Sequence, residues 1–277
     1  MTLVEIWKKA TDDKKKFGAL LIDLSKAFDC ICHDLLIAKM DAYGLDKNAM
    51  DLIAEYLSRR KQRVKIGSHY STLHDVKDGV PQGSILGPLL FNIYTRDLFY
   101  VLDQNVLNYA DDTTPFAVGV SWDEVTHELE SAAKKIFEWL GVNQMIGNAG
   151  KSELILNTTN EDIYITVLNQ RIFNSNSAKI LGIIFDNKLE FEQYISKICN
   201  EASKKISALA RIAPFMNESK RKKLMNAFFK CHFSYCPLVW MFHSRALKNR
   251  INHLHERCLR IVYRDDNASF EDLLAKD

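Results

Sequence analysis

The chain has 277 residues, enough for one large domain or two modest ones. Hydrophobic residues at 47% and charged residues at 26% exclude a disordered or fibrous protein. No apolar run approaches the roughly 20 residues that cross a bilayer, and Met1 to Lys16 lacks the apolar core and cleavage site of a secretory signal. An intracellular protein with no membrane contact is expected, in either the nucleus or the cytoplasm. The net charge of +2 is unevenly spread: Lys197 to Arg264 holds 15 Lys and Arg against 3 Asp and Glu, which leaves −10 on the remainder. Such a run is usually a solvated helical face. Beside an acidic neighbour it is also the arrangement expected where one part holds metal and another grips a phosphate backbone.

In chain order, Gly18 to Asp23 is a short apolar run ending in an acid, which predicts a buried strand with Asp23 at its tip. Leu36, Met40 and Tyr43 recur at helical spacing up to Gly44, and Met50, Ile53, Ala54 and Leu57 define a second helix. Val64 and Ile66 alternate with Arg63 and Lys65 before a Gly67-Ser68 turn and Thr72 to Val76, which predicts a hairpin with a basic face. Ser84 can cap a helix whose apolar face is Ile85, Leu89, Leu90 and Ile93, with Pro88 tolerated in its first turn. Val106 to Tyr109 and Pro115 to Val118 read as strands on either side of an Ala110 to Thr113 turn. Ser121 and Glu124 form a capping box ahead of a stripe of Val125, Leu129, Ala132, Ile136, Phe137 and Leu140.

Glu153 to Leu156, the pair Ile163 to Leu168 and Arg171 to Phe173, and Ile180 to Phe185 complete the predicted strands. Three helical patterns follow: Phe191, Ile195, Ile198 and Ala202; Leu224, Met225 and Phe228; and Leu247, Ile251, Leu254, Cys258 and Ile261. A domain boundary is placed near Asn187. The order predicts an α+β chain, a split βαβ arrangement with helices on one face of an antiparallel sheet, then a helical region. The six cysteines lack paired spacing and read as reduced thiols. Cys231, His232, Cys236 and His243 fit no standard zinc motif, and ordinary helix packing is the preferred reading.

Phosphoryl transfer to a hydroxyl needs charge compensation where the attacking and leaving oxygens become negative, and two divalent ions supply it. Magnesium takes oxygen ligands and keeps several waters, so two or three carboxylates on adjacent strands suffice. Asp23, Asp111 and Asp112 offer that set if their strands pair. An Asp-Asp turn alone is usually a plain turn.

The context changes this reading. Tyr109-Ala110-Asp111-Asp112 is preceded by Leu20-Leu-Ile-Asp23-Leu-Ser-Lys-Ala-Phe28-Asp29 and by Gly79-Val-Pro-Gln-Gly-Ser-Ile-Leu-Gly-Pro-Leu-Leu-Phe91. Together these segments resemble the reverse transcriptases of non-LTR retrotransposons, most of all those of jockey-like mobile elements. Trp139, Asn148 and Lys151 resemble the family's next motif, and Lys179 to Phe191 its primer grip.

The resemblance implies a polymerase palm with partial fingers over residues 1–186, and an α-helical, basic thumb over 187–277. It implies RNA-directed DNA polymerase activity, in which dNTPs are added to a DNA primer on an RNA template with two Mg²⁺ ions, or Mn²⁺ in their place. Asp23, Asp111 and Asp112 would hold the metals. Leu24, Ser25, Lys26 and Ala27 would present amides to the triphosphate, and the Phe28 ring would lie under the nucleotide sugar and exclude a 2′-hydroxyl. Pro81, Gln82 and Gly83 would position the template nucleotide. Lys151 would protonate or neutralise the leaving pyrophosphate. Asp29 and His33 are expected to fix the local turn and helix start.

Only about 22 residues precede Asp23, so the fingers are expected to be largely absent unless another chain supplies them, which would leave the isolated polypeptide inactive, and no target-cleaving endonuclease is assigned. The alternative is a non-catalytic remnant of the same fold that binds nucleic acid. A nucleotidyl cyclase or other two-metal enzyme on a similar sheet is disfavoured by the Pro-Gln-Gly loop and the basic helices. Oligomeric state is not legible.

Overall fold

A reciprocal cap between Thr2 and Glu5 opens helix α1 (Leu3–Asp12), an element with no counterpart in the sequence reading. The computed structural model describes residues 2–236, 239 and 244–276. The chain divides into two compact units, Met1–Asn176 and Ser177–Asp277.

In the first unit, β1 (Lys16–Leu24) is followed by α2 (His33–Ala42) and α3 (Lys47–Leu57). A small antiparallel arm comes next, built from β2 (Lys61–Gln62), β3 (Lys65–Ile66), β4 (His69–Tyr70) and β5 (His74–Asp75). Then come α4 (Gly87–Thr95), α5 (Leu98–Val101), β6 (Asn105–Tyr109), β7 (Asp112–Gly119), the long α6 (Trp122–Val142) and β8 (Gly147–Leu156). The hairpin β9 (Tyr164–Val167) with β10 (Gln170–Phe173) closes the unit.

The four longer strands form one antiparallel sheet in the order β6-β7-β1-β8. Strand alternation sorts β1 into two sets: Gly18, Leu20 and Ile22 point one way, and Phe17, Ala19 and Asp23 the other. Leu20 and Ile22 join the main core with Leu36 and Met40 of α2, Leu90 and Tyr94 of α4, and the α6 stripe Val125, Leu129 and Ile136. The opposite face is closed at one end by α1, where Trp7 stacks on Phe17 at 4.6 Å. It is open at the Asp23 end, where the carboxylate is exposed.

One helix face and one strand differ from the sequence expectation. The helix after Ser84 begins only at Gly87, and its buried positions are Gly87, Leu90, Phe91, Tyr94 and Thr95. Ile85, ahead of the helix, is 96% exposed and Leu89 is 55% exposed. Ile180 to Phe185 is likewise not one strand: it crosses a turn at Leu181-Gly182 between β11 (Ser177–Ile180) and β12 (Ile183–Asp186).

The second unit continues from that hairpin into α7 (Glu192–Ile212), α8 (Glu218–Met225), α9 (Cys231–Ser234), α10 (Arg245–Tyr263) and α11 (Phe270–Ala275). A π-helical turn over Asn226–Lys230 adds a residue to the repeat after α8. Phe229, rather than the expected Phe228, is the buried aromatic there, in line with the buried Arg221 and Met225. Arg221 is buried, with Nε donating to the Val262 carbonyl at 2.6 Å and a terminal nitrogen to the Met216 carbonyl at 2.6 Å. The Lys205 amine lies 2.9 Å from a His232 ring nitrogen. His243 lies outside the described residues.

One polar network crosses the first unit's core. The Lys39 ammonium donates to the Tyr94 carbonyl at 2.7 Å and to Asp97 at 2.8 Å, and it lies 4.7 and 4.8 Å from the Tyr94 and Trp139 rings. Burial pulls the Lys39 pKa down against the opposing pull of Asp97. The Tyr94 hydroxyl, pushed up to about 12 by burial, donates to the Asn143 carbonyl at 2.7 Å. Lys39 thus ties α2 to α4 and α6. Because Asp97 is half open to water, Lys39→Ala is expected to cost about 1–3 kcal/mol in urea unfolding. Lys39→Met, which keeps the packed stem, is expected to cost less.

Candidate active site

The three candidate carboxylates come together through strand register. β1 and β7 pair antiparallel with Ile22 opposite Thr113, so the next position along sets Asp23 opposite Asp112 on the same face. Asp111 occupies the two-residue turn between β6 and β7, where Tyr109 pairs with Asp112. Ala110 in that turn has φ +52, a left-handed conformation that costs a non-glycine residue about 1–2 kcal/mol. Partial burial, then the negative charges of Asp111 and Asp23, push the Asp112 carboxyl above the usual carboxylate range. The three acids therefore share one field.

All-oxygen donors with this like-charge burden fit a hard divalent cation by chemistry. Among the described residues, no three His, Cys, Asp or Glu side chains are gathered into a finished metal-binding group. The fit is one of donor type and charge.

Leu24 ends β1 opposite Gly147 of β8, and the chain then turns sharply over Ser25 to Phe28. The Ser25 amide donates to the Ile146 carbonyl at 2.9 Å, so that N–H is already used. Lys26 is exposed at φ +51, its carbonyl accepts from Asp29 N at 2.8 Å, and Ala27 begins a short 3₁₀ turn. Phe28 is half-buried and stacks on Phe91 at 4.5 Å. It also lines an open cleft of about 990 Å³ with Leu89, Asn92, Arg96, Tyr109 and Ala110. The ring thus both packs and faces the cleft beside the carboxylate turn.

The Pro81-Gln82-Gly83 loop is fastened to this segment. Gln82 Nε2 donates to Asp29 Oδ1 at 3.0 Å, Val80 N to the Phe28 carbonyl at 2.9 Å, and Gly79 N to the Ile31 carbonyl at 2.8 Å. A His33 ring nitrogen lies 2.7 Å from the Gly79 carbonyl. Asp29 and His33 are thus the tethers between the two motifs, a role their positions in sequence hint at only as turn-fixing residues. Gly79, which the sequence reading leaves without a role, makes the closest approach. Its φ is +84, and a Cβ there would lie 2.8 Å from the Asp29 backbone. Gly83 has φ +79, and a Cβ there would meet no protein atom within 4 Å, so its surroundings are open.

Lys151 sits differently from the rest. β1 pairs with β8 as Leu21 opposite Glu153 and then Asp23 opposite Asn148, so Ala149 to Ser152 bulge against the single residue Ile22. Lys151 is exposed in that bulge, and Asn148 is the β8 residue set beside Asp23.

An antiparallel sheet that carries acids at the ends of two adjacent central strands, with helices packed on its other face, is the palm architecture of template-directed polymerases. The chain belongs to the reverse transcriptase (RNA-dependent DNA polymerase) family, which matches residues 2–185. It is 26% identical over 92% of its length to a probable RNA-directed DNA polymerase from transposon BS of Drosophila melanogaster. It is 25% identical over 92% of its length to the RNA-directed DNA polymerase from mobile element jockey of Drosophila funebris. These likenesses place it with the non-LTR retrotransposon branch. The chain spans only 30% and 29% of those two relatives. In fold it is similar to apo telomerase from Candida tropicalis, with a TM-score of 0.52 at 13% identity over 99% of this chain and 49% of that one.

The close contact at Gly79 is testable. Gly79→Ala is expected to lower unfolding stability by at least about 2 kcal/mol, from the left-handed φ plus the clash with Asp29. Gly83→Ala, with open space around it, is expected to cost only about 1 kcal/mol of backbone strain. Equal losses in urea melts would remove the assigned role of the Gly79 contact.

Proposed function

We propose that this chain carries the catalytic palm of an RNA-directed DNA polymerase, which adds deoxynucleotides to a primer 3′-hydroxyl on an RNA template. The observation that carries the reading is the coupling of Asp23, Asp111 and Asp112 at the ends of paired strands, in a chain of the reverse transcriptase family. Asp23, Asp111 and Asp112 are the residues that would hold divalent metal, Mg²⁺ or Mn²⁺. Bound there, such ions supply compensation for charge developing on the attacking and leaving oxygens.

The chain's own groups then position the reactants. The Lys26 and Ala27 amides, unlike that of Ser25, make no backbone hydrogen bond among the described residues and are free to meet a triphosphate. Phe28, braced on Phe91, presents a ring edge that selects against a 2′-hydroxyl by contact. Gln82, held by Asp29, is the template-side residue of the Pro-Gln-Gly loop. Lys151 serves the leaving pyrophosphate from the β8 bulge. Residues 1–186 act as palm with part of the fingers, and 187–277 as the thumb, whose basic helices suit a nucleic-acid duplex. Among the described residues no helix is long and apolar enough to cross a membrane.

Primer extension on an RNA template tests this directly. Wild type is expected to incorporate dNTPs in Mg²⁺, and Asp111→Ala to lose at least about a hundredfold. Equal incorporation by the two would sink the mechanism. Salt-sensitive binding by wild type without incorporation would favour a non-catalytic, nucleic-acid-binding role for this chain.

In metal-free buffer Asp112→Asn is expected to melt higher than wild type, because the neutral side chain removes like-charge repulsion. Millimolar Mg²⁺ is expected to raise the wild-type melting temperature and to raise that of Asp112→Asn less. An equal Mg²⁺ response in both proteins would take the metal away from Asp112.

A further inference from the structure

The β2 to β5 arm stands apart from the first unit in charge. Residues 1–176 carry 19 Lys and Arg against 24 Asp and Glu, a balance of −5. Within them, 59–77 carries 6 Lys and Arg against the single Asp75, a balance of +5, so the rest of the unit stands at −10. Of the arm's cations only Lys61 is in an ion pair among the described residues, with Asp75 at 3.7 Å. Arg59, Lys61, Arg63 and Lys65 are exposed. A solvated face that served only solubility would not need to reverse the sign of its own unit.

The arm is ordered by pairing along its length. Lys61 pairs with Asp75, Gln62 with His74, Lys65 with Tyr70 and Ile66 with His69, and Ser71 N donates to the Val64 carbonyl at 2.9 Å. The Arg63 guanidinium lies 4.1 Å from the centre of the Tyr70 ring and Lys65 Nζ 5.3 Å from it, so cations and ring share one face. Alternation turns Val64 and Ile66 the other way, and both are exposed, at 62% and 75%. The arm thus combines unpaired positive charge with bare aromatic and aliphatic surface.

Its base also reaches the site. Arg60, Lys61 and Gln62 line a cleft of about 660 Å³ together with Lys26, Pro81 and Gln82. A strand lying along the Pro-Gln-Gly loop would pass directly onto the arm.

We propose that the 59–77 arm is a second nucleic-acid contact, and that it holds the unpaired template strand next to the Gln82 loop before that strand is copied. Phosphates meet Arg60, Lys61, Arg63 and Lys65, while exposed bases rest against Tyr70 on the same face. A duplex, with its bases stacked inside, would use only the cations, so the mixed surface fits a single strand. The assignment rests on the polymerase reading for the identity of that strand.

Equilibrium binding of the full chain to two primer–template duplexes tests it, one blunt and one with a ten-nucleotide 5′ RNA overhang. Arg63→Glu with Lys65→Glu is expected to weaken overhang binding at least tenfold, to leave blunt binding within about twofold, and to lower the salt slope for the overhang by about 1 to 2. Tyr70→Ala is expected to weaken overhang binding severalfold with the salt slope unchanged. Melting temperatures within about 2 °C of wild type would establish that these surface variants fold. No loss, or equal loss on both duplexes, overturns the proposal. Because binding is read without incorporation, an inactive wild type that still shows the selective loss would overturn the polymerase reading and leave the arm's single-strand contact standing.

Discussion

The register between β1 and β7 is the constraint on which the site depends. It sets Asp23 and Asp112 side by side at the ends of the two central strands, where partial burial and then the like charges of Asp111 and Asp23 raise the Asp112 pKa. A slip of one residue would exchange the faces of β1, turning Asp23 into the core and Leu20 and Ile22 outward. The burial of Leu20 and Ile22 against α2, α4 and α6 is what prevents that slip. The hydrophobic core therefore determines not only stability but which way the acids point. Folding holds three mutually repelling carboxylates in place through contacts made on the opposite side of the sheet.

The loops around the carboxylates are held in the same manner, by tethers that join the Phe28 segment to the Gln82 loop. Asp29 accepts from Gln82, Val80 N donates to the Phe28 carbonyl, and His33 meets the Gly79 carbonyl, so two segments fifty residues apart are fastened together. The left-handed residues Lys26 and Ala110 lie within three residues of Asp23 and within two of Asp112, respectively. Such conformations persist only where surrounding contacts over-determine them. Here those contacts are the Lys26 carbonyl bonds to Asp29 and Cys30 and the Tyr109 to Asp112 pair.

The long regular elements are legible in the sequence because their apolar period matches their burial. The α6 stripe from Val125 to Leu140 and the α7 positions Ile195, Ile198 and Ala202 are buried as spacing alone predicts. Spacing misplaces the face of α4, where apolar residues are not core. Ile85 and Leu89 satisfy the helical pattern yet are exposed, Leu89 in the cleft beside Phe28 and Tyr109, and local pattern cannot separate a core face from a binding face. The carboxylate positions are readable from motif spacing, but the β8 bulge at Lys151 is not, because register depends on strands distant in sequence. Helix α1 escapes notice because Leu3, Val4, Trp7 and Ala10 form a short stripe within a lysine-rich segment. Its role, closing the Phe17 end of the sheet, exists only in three dimensions.

A polyanion approaching the first unit meets an average field of the wrong sign, since its 24 acids outnumber its 19 bases. At physiological salt a charge is felt over only about 8 Å, so the average matters less than which cations flank the path. Arg96 lines the cleft that holds Phe28 and Tyr109, and Lys26, Arg60 and Lys61 line the cleft at Gln82. Each cleft beside the motif loops therefore carries cations of its own, and in the Gln82 cleft they stand beside Asp29 and Asp78. Local cations of this kind are what a phosphate backbone would need in order to approach an acidic unit.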